Sequence, residues 1–459
     1  MITEKNFLEE LQEPVVTGQT KPEQWRRLQL ERISKLIEEN EELVIRSLYK
    51  DLGKPLTEAF FEIAALRQEL KLTRQQLTRW MKDKRVSVPL SLQPGEALTR
   101  SEPLGCVLIL GPWNYPFSLT IQPLISALAA GNTAVIKPSE HAEETSKLIE
   151  KLISKYFPRN IVKVFQGDGT VAEKLLKERF DYIFFTGGEL IGKKVMTAAA
   201  ENLTPVTLEL GGKSPAIILE GAELSTTARR IVWGKTLNAG QTCIAPDHIF
   251  VHENIKEELI KQIKRVIFDF YNNNSLKSKD YGKIINLKQF DRLKSLLESA
   301  SKNNQVITGG RIDDSKLRIE PTLIYVKDRK DPLMQSEIFG PLIPLLTFSQ
   351  LETLLTQIRK EPKPLALYAF GGTKKDHEKI LDTTSSGGVC FNDVVMQAGV
   401  PNLPFGGVGC SGMGRYHGEA GFKTFSNQRS ILRRPFWLDI KLRYPPYNLN
   451  ISSLKKILG

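Results

Sequence analysis

The chain is expected to fold as an α/β protein with two parallel-sheet domains, and three observations point there. From Cys106 to Leu210, short apolar runs alternate with helical stretches. A second alternating series runs from Ala216 to Phe391. In the first series, turns rich in glycine, proline and polar residues stand at the carboxyl ends of the strands, where open parallel sheets bind ligands.

The elements follow in order. Residues 20–85 read as helices, with Trp25, Leu28, Ile33, Leu36 and Ile37 at helical spacing and a further periodic run from Phe60 to Trp80. Val86 to Leu98, punctuated by Pro and Gly, favours a hairpin leaving the domain body. Strands are expected at Val107–Leu110, Thr133–Ile136, Ile161–Phe165, Tyr182–Phe185 and Val206–Leu210, with helices over Phe117–Ala130, Glu143–Tyr156, Val171–Lys177 and Ile191–Ala200 between them. The second series has strands at Ala216–Leu219, Ile249–Val251, Gln305–Ile307, Leu323–Val326, Leu342–Phe348, Leu365–Phe370 and Val389–Phe391. Its helices are expected over Ala228–Leu237, Lys256–Tyr271, Leu293–Ala300 and Leu351–Arg359. Pro401 to Gly414 reads as a surface loop, and an aromatic, basic tail follows Phe425.

Composition sets bounds on function. The 459 residues are 41% hydrophobic and 25% charged, ordinary for a globular protein of two or three domains. The net charge of +12 is spread along the chain rather than blocked, so a solvated surface is expected and no nucleic-acid partner. The nearest approach to a basic cluster is C-terminal: Arg429, Arg433, Arg434, Lys441, Arg443, Lys455 and Lys456. Four cysteines without a CxxC pair make no disulfide framework and fit a reducing compartment. Five histidines without an HExxH-like spacing point to no metal. Met1–Asn6 shows no secretory signal, and the apolar region Phe117–Ile136 is broken by Pro123, Gly131 and Asn132, so a cytoplasmic protein without a membrane span is expected.

Five turns and one thiol carry candidate chemistry. Cys243 sits in Gly240-Gln241-Thr242-Cys243, a small polar turn poorly suited to core filling, although a buried packing thiol is the ordinary alternative. Asn114, in Gly111-Pro112-Trp113-Asn114-Tyr115-Pro116, is either a turn residue or an amide donor for an oxyanion. Lys137-Pro138-Ser139-Glu140 is either a helix-capping turn or a ribose clamp. Phe185-Thr186-Gly187-Gly188 leads into a helix at Ile191-Gly192, as a pyrophosphate turn would. Glu209, inside Leu208-Glu209-Leu210-Gly211-Gly212-Lys213, is a carboxylate in an apolar strand, which is either salt-bridged or shifted towards neutrality and able to act as a base. Glu337-Ile338-Phe339-Gly340-Pro341 is the fifth turn.

Together these turns, with Pro404-Phe405-Gly406-Gly407, resemble the aldehyde dehydrogenase superfamily in order and spacing over most of the chain. The short N-terminus and the tail Arg443-Tyr444-Pro445-Pro446-Tyr447 are most similar to the class 3 branch, which includes fatty aldehyde dehydrogenases. The resemblance implies the aldehyde dehydrogenase-like fold: a cofactor domain over 1–85 and 103–210, a catalytic domain over 211–419, a bridging element for oligomerisation over 86–102 with 420–445, and a tail over 446–459. It implies Cys243 as nucleophile, Asn114 with the Cys243 N–H as oxyanion donors, and Glu209 as activator of the hydrolytic water. It implies NAD or NADP held by Trp113, Lys137, Ser139, Glu140, Gly187, Gly188, Gly192, Leu210, Glu337 and Phe339. Tyr115, Trp233 and Phe391, with Val394, Val395 and Met396 nearby, fall in or near family tunnel segments and suggest a hydrophobic aldehyde, ordinary core packing being the alternative. Many relatives carry Ser, Thr or Asn at position 188, where this chain leaves the work to a backbone N–H. A homodimer is implied, and dimer packing rather than membrane contact is expected of the tail aromatics Phe436 and Trp437.

The chemistry is consistent. Hydride cannot leave a free aldehyde to give an acid, so a thiolate first adds to the carbonyl. Collapse of the oxyanion leaves a thioester that needs water and a base. Glu209, 34 positions before the thiol (243 − 209), supplies one and separates hydrolysis from acyl transfer. A carboxylate at Glu140 repels a 2′-phosphate and so favours NAD, while class 3 relatives can turn it aside and admit NADP. Two other classes stay open at this stage: a thiol hydrolase without redox chemistry, and a non-catalytic binding protein.

Overall fold

A computed structural model describes residues 7–272, 274–439, 441–447, 450–452 and 455. Met1–Asn6, Lys456 and most of the expected last stretch lie outside the described residues. The chain begins with four helices: α1 (Phe7–Val16), α2 (Glu23–Glu39), α3 (Glu41–Leu52) and α4 (Leu56–Met81). Helix α1 is an addition to the expected set. Its ten residues hold a proline, and Phe7, Leu11 and that Pro14 make up its whole buried stripe, too short for a periodic signal.

Strands β1 (Lys84–Val86) and β2 (Glu96–Pro103) form the hairpin, and the first series follows. It comprises β3 (Cys106–Leu110), α5 (Ser118–Ala130), β4 (Thr133–Lys137), α6 (Glu143–Tyr156), β5 (Val162–Val164), α7 (Gly169–Leu176), β6 (Tyr182–Thr186), α8 (Glu189–Glu201) and β7 (Val206–Glu209). Strands β3, β4 and β6 are buried at every position, which is why they read as continuous apolar runs. These five strands are parallel in the order β7-β6-β3-β4-β5, so the winding reverses between β3 and β6 and opens a crevice at their carboxyl ends.

The second body contains β8 (Pro215–Ile218), α9 (Leu224–Thr236), β9 (His248–His252), α10 (Lys256–Tyr271), α11 (Leu287–Lys302), β10 (Val306–Thr308), the small hairpin β11 (Ile312–Asp313) and β12 (Arg318–Ile319), β13 (Thr322–Tyr325), β14 (Leu342–Phe348), α12 (Leu351–Lys360), β15 (Ala366–Phe370), α13 (Lys374–Thr383) and β16 (Gly388–Phe391). Its sheet runs β10-β13-β14-β9-β8-β15-β16, parallel except for β10. Apolar clusters fill both of its faces, one including residues of α9 and α10, the other residues of α11, α12 and α13. Helix α13 escaped the sequence reading because only Ile380 of its ten residues is buried; a capping box at Thr373 and Asp376 starts it.

The stretch Pro401–Gly414 is not a plain surface loop. Its strand β17 (Gly412–Met413) pairs antiparallel with β7, Gly412 opposite Glu209, and extends the first sheet. Glycines make this possible: Gly412 (φ +138°) lies so close to the Leu208 carbonyl that a Cβ would sit 2.1 Å from it. After α14 (Gly418–Thr424), β18 (Ser426–Arg433) lies antiparallel along β2 over its whole length and completes a sheet in the order β1-β2-β18.

Asn132 ties these parts together. Its amide oxygen accepts from Leu104 and Gly105 N–H, and its nitrogen donates to the Ala127 and Phe425 carbonyls, all at 2.8–3.0 Å. The side chain is fully buried. Asn132→Ala removes these bonds from the Leu104 and Gly105 N–H groups and the Phe425 carbonyl, at roughly 1–3 kcal/mol each, while the Ala127 carbonyl keeps the Asn132 N–H, so the thermal midpoint should fall by about 3–10 °C in a melt followed by circular dichroism.

Candidate active site

The two sheets meet at opposite ends. The turns at residues 111–115, 137–140 and 186–188 follow the carboxyl ends of β3, β4 and β6, and Glu209 ends β7. The chain then passes through Gly211 and Gly212 straight into β8. The thiol turn and the Glu337 turn precede β9 and β14, so they stand at amino ends. The cleft thus lies between the carboxyl edge of one sheet and the amino edge of the other.

The thiol turn is an unusual piece of backbone. Asn238 and Ala239 both lie in the left-handed region (φ +53° and +52°), and Gly240 follows at +77°. A Cβ at Gly240 would meet the Gly340 carbonyl at 2.3 Å, so the turn packs directly on the Glu337–Pro341 segment. Gln241 holds it from behind. Its Nε2 donates to the Asn238 and Lys283 carbonyls (3.0 and 2.9 Å), and its Oε1 accepts from Ile285 N–H (3.0 Å). The Gln241 carbonyl accepts from the Asn114 and Asn238 amides, both at 3.1 Å, and Asn238 also donates to the Asn114 carbonyl (2.8 Å). The structure thereby brings Asn114 to the thiol turn with one amide hydrogen engaged and one left over. Tyr115 joins the same contact through its hydroxyl, 2.7 Å from Thr242 Oγ1.

Helix α4 buttresses this arrangement with polar groups outside its apolar stripe. Glu58 accepts from the Asn238 N–H (2.8 Å). Glu62 accepts from Ser118 N–H and Oγ, anchoring the start of α5, and pairs with the fully buried Lys54 at 2.5 Å. Lys54 Nζ lies 3.8 Å over the Tyr115 ring. Tyr368, also fully buried, donates to the Ile244 carbonyl (2.5 Å) and accepts from Val395 N–H and Gln397, binding the thiol segment to the 395–397 turn. Only these tertiary contacts single out the four side chains.

Glu209 is 3% exposed and both its carboxylate oxygens lack a protein partner. Burial pushes its pKa well up, offset in part by the charge of Arg415. Gly406 (φ +156°) lies against it, where a Cβ would stand 2.8 Å from Glu209 Oε1. Burial likewise raises the Cys243 thiol, and the charges of Glu337 and Glu209 add to that; the N–H groups of Cys243 and Ile244 pull the other way. Glu337 is lifted to about 8, chiefly by burial and then by Asp247.

The dinucleotide-type groups also assemble. Lys137 Nζ and Glu140 pair at 2.5 Å at the end of β4. Burial alone would raise the Glu140 carboxyl, but the hydrogen bond and charge of Lys137 hold it below its ordinary value. Ser139 Oγ accepts from His141 N–H (3.3 Å). Gly188 caps α8 with open space around it, and the buried Thr186 hydroxyl beside it has no partner. An open helix N-terminus with an orphaned hydroxyl fits an anionic pyrophosphate. Gly192 instead faces inward: a Cβ there would strike Leu210 at 2.7 Å, so it permits α8 to close on β7. Across the cleft, the Glu337 carboxylate rests on Gly211, and the Phe339 and Trp113 rings meet edge to face at 5.2 Å. Asp247 and Lys213 fix that turn: Asp247 accepts from Ile338 N–H (2.8 Å), and Lys213 bridges Asp247 to the Leu333 and Ser336 carbonyls.

The expected tunnel set divides. Trp233, Val395 and Cys243 pack on one face of the second sheet with Val394, which is fully buried against Gly234 and is core. Phe391 belongs to the opposite cluster and stacks on His377 at 4.1 Å. Along β16 the side chains alternate, so Cys390 shares the Cys243 face and Phe391 does not. Met396 is 52% exposed. Among the described residues no cluster of His, Cys, Asp and Glu could hold a metal, and no helix is long and apolar enough to cross a membrane.

Fold and site together define a two-sheet α/β oxidoreductase with a thiol set across a cleft from a dinucleotide crevice. Residues 16–431 match the aldehyde dehydrogenase family. The chain is 44% identical over 440 residues to the 4,4'-diaponeurosporen-aldehyde dehydrogenase of Staphylococcus aureus (strain NCTC 8325 / PS 47), covering 96% of this chain and 95% of that one. It is also 44% identical to the dimeric NADP-preferring aldehyde dehydrogenase of Rattus norvegicus, covering 94% and 95%. A solved structure described as the substrate-bound state of Staphylococcus aureus AldH superposes with a TM-score of 0.95 at 42% identity, covering 99% of both chains. The chain belongs to the aldehyde dehydrogenase family, with class 3 members among its relatives. It is an NAD(P)-dependent aldehyde dehydrogenase.

The Tyr368 contact can be tested directly. Tyr368→Phe should lower turnover about tenfold and change the rate at which iodoacetamide labels Cys243, followed by peptide mass spectrometry, while shifting the melting temperature by only a few degrees.

Proposed function

We propose that this enzyme oxidises hydrophobic aldehydes to carboxylic acids through a thioester on Cys243, hydrolysed by water that Glu209 activates. The observation that carries this reading is the buried Glu209 carboxylate with no protein partner on either oxygen, in the same cleft as the thiol. A buried carboxyl held neutral until the pH rises towards its own pKa is suited to accept a proton from water. Cys243 adds to the carbonyl, and the free hydrogen of the Asn114 amide with the Cys243 N–H stabilises the oxyanion. When the oxyanion collapses, the C–H electron pair leaves as hydride and a thioester remains. Water then adds under Glu209, the C–S bond breaks, and the thiol and the acid are released. NAD or NADP, when bound, supplies the hydride acceptor. Lys137 and Glu140 would hold its adenosine ribose, the 187–188 turn its pyrophosphate, and Glu337 with Phe339 and Trp113 its nicotinamide end. Gly192 serves by packing.

A hydrophobic substrate is supported by Tyr115, Trp233 and Val395 beside the thiol and by a relative whose name gives a diaponeurosporen aldehyde. A homodimer is supported by the exposed three-stranded sheet β1-β2-β18, which leaves two free edges, and by relatives named as dimeric.

The carboxyl predicts a pH profile. Its folded pKa is raised, so the base form appears only as pH rises through that value, and steady-state turnover should climb from pH 6 into the alkaline range. Glu209→Gln should keep a stoichiometric burst of reduced cofactor and then turn over at least about a hundredfold more slowly, without that alkaline rise. A variant with normal steady-state turnover would refute the role. Catalytic efficiency on a series of n-alkanals should rise from two to ten carbons, each methylene contributing up to about 0.8 kcal/mol; a preference for acetaldehyde would remove the hydrophobic-substrate reading.

A further inference from the structure

Away from the cleft, a cavity of about 520 Å³ opens between the end of α3, the 277–283 segment and the 315–318 turn. Its lining holds six cations, Lys50, Lys277, Lys279, Lys283, Lys316 and Arg318, and not one carboxylate. Distant segments build this cluster, so the linear sequence, where only the C-terminus looks basic, does not show it.

The charges are compensated only in part. Lys50 pairs with Glu144 at 2.8 Å. Asp313 accepts from the Ser315 hydroxyl and the Lys316 N–H, and the charge of Lys316 helps to lower its carboxyl. Arg318 is fixed by three backbone carbonyls, those of Leu276 (2.9 Å), Ser278 (2.9 Å) and Tyr281 (2.6 Å), which orient the guanidinium without neutralising it. Lys283 Nζ donates to the Lys50 carbonyl (3.0 Å), which places a cation at the negative end of α3. Like charges gathered round one concavity raise the local potential and concentrate anions there. The volume lies within the range of small-molecule sites, in a concavity open to solvent. A planar guanidinium held in place beside several ammonium groups suits phosphate oxygens.

We propose that this pocket binds a soluble small molecule bearing two or more phosphate groups, at a site separate from the cofactor crevice. The pocket is joined to the thiol turn through Lys283. The side chain of Lys283 faces the cavity, its N–H donates to the Leu52 carbonyl, and its own carbonyl accepts from Gln241, two residues before Cys243. An occupant therefore grips the same strand of backbone that holds the catalytic turn from behind.

The test uses the full-length enzyme with NAD saturating, so that the cofactor's own pyrophosphate site is filled. Isothermal titration with inorganic pyrophosphate should show one saturable site per chain. The double substitution Lys279→Gln with Lys316→Gln should weaken it at least tenfold, with kcat and KM for NAD within twofold of the parent. Absence of a saturable site, equal binding by the double variant, or equal binding of sulfate at matched ionic strength would overturn the proposal. Tighter, variant-sensitive binding of a single-stranded RNA oligomer would also overturn it and assign the patch to nucleic acid instead.

Discussion

The turn that carries Cys243 is irregular backbone between α9 and β9, and one buried amide pins it. Gln241 has donors and acceptors on both ends of its side chain and on its carbonyl. It spends them on Asn238, Lys283, Ile285 and Asn114, groups from both bodies of the molecule. Each such bond is worth only about 1 kcal/mol net, but an orphaned buried partner costs more, so the set holds or fails as a unit. It tolerates two non-glycine residues in left-handed backbone and leaves the thiol of Cys243 at the cleft.

Around that pin the cleft is built from two unlike sheet edges. The first sheet offers the carboxyl ends of strands, where glycine turns and a helix N-terminus suit an anionic dinucleotide. The second offers amino ends, where the turns before β9 and β14 bring the thiol and Glu337 together. Trp113 meets Phe339 across the gap, and Glu337 lies on Gly211, so the turns of the two bodies touch each other. Burial then sets the proton chemistry. It raises Glu209, Glu337 and the thiol alike and so favours their neutral forms.

Much of this was legible in the sequence because its signals are local. Strands buried on both faces read as apolar runs, and turns carrying Asn114, Lys137, Gly187, Glu209, Cys243 and Glu337 resemble a known family in order. What failed to read was whatever depends on a partner far along the chain. Helix α13 has one buried residue and no stripe. Pro401–Gly414 looks like a loop because its glycines, not an apolar pattern, let it pair with β7 and close over Glu209. Phe391 looked suited to a tunnel, yet strand alternation turns it onto His377.

The sequence by itself determined the two-sheet α/β class, the family and the identity of the chemical groups, because periodicity, turn residues and motifs are properties of neighbouring positions. Tertiary structure alone decided which groups meet: Lys54, Glu58 and Glu62 under the Asn114 and Cys243 turns, Tyr368 behind the thiol, Gly192 as packing, Val394 as core, and six cations around one pocket. Burial, charge compensation and hydrogen bonding between distant segments exist only once the chain has closed.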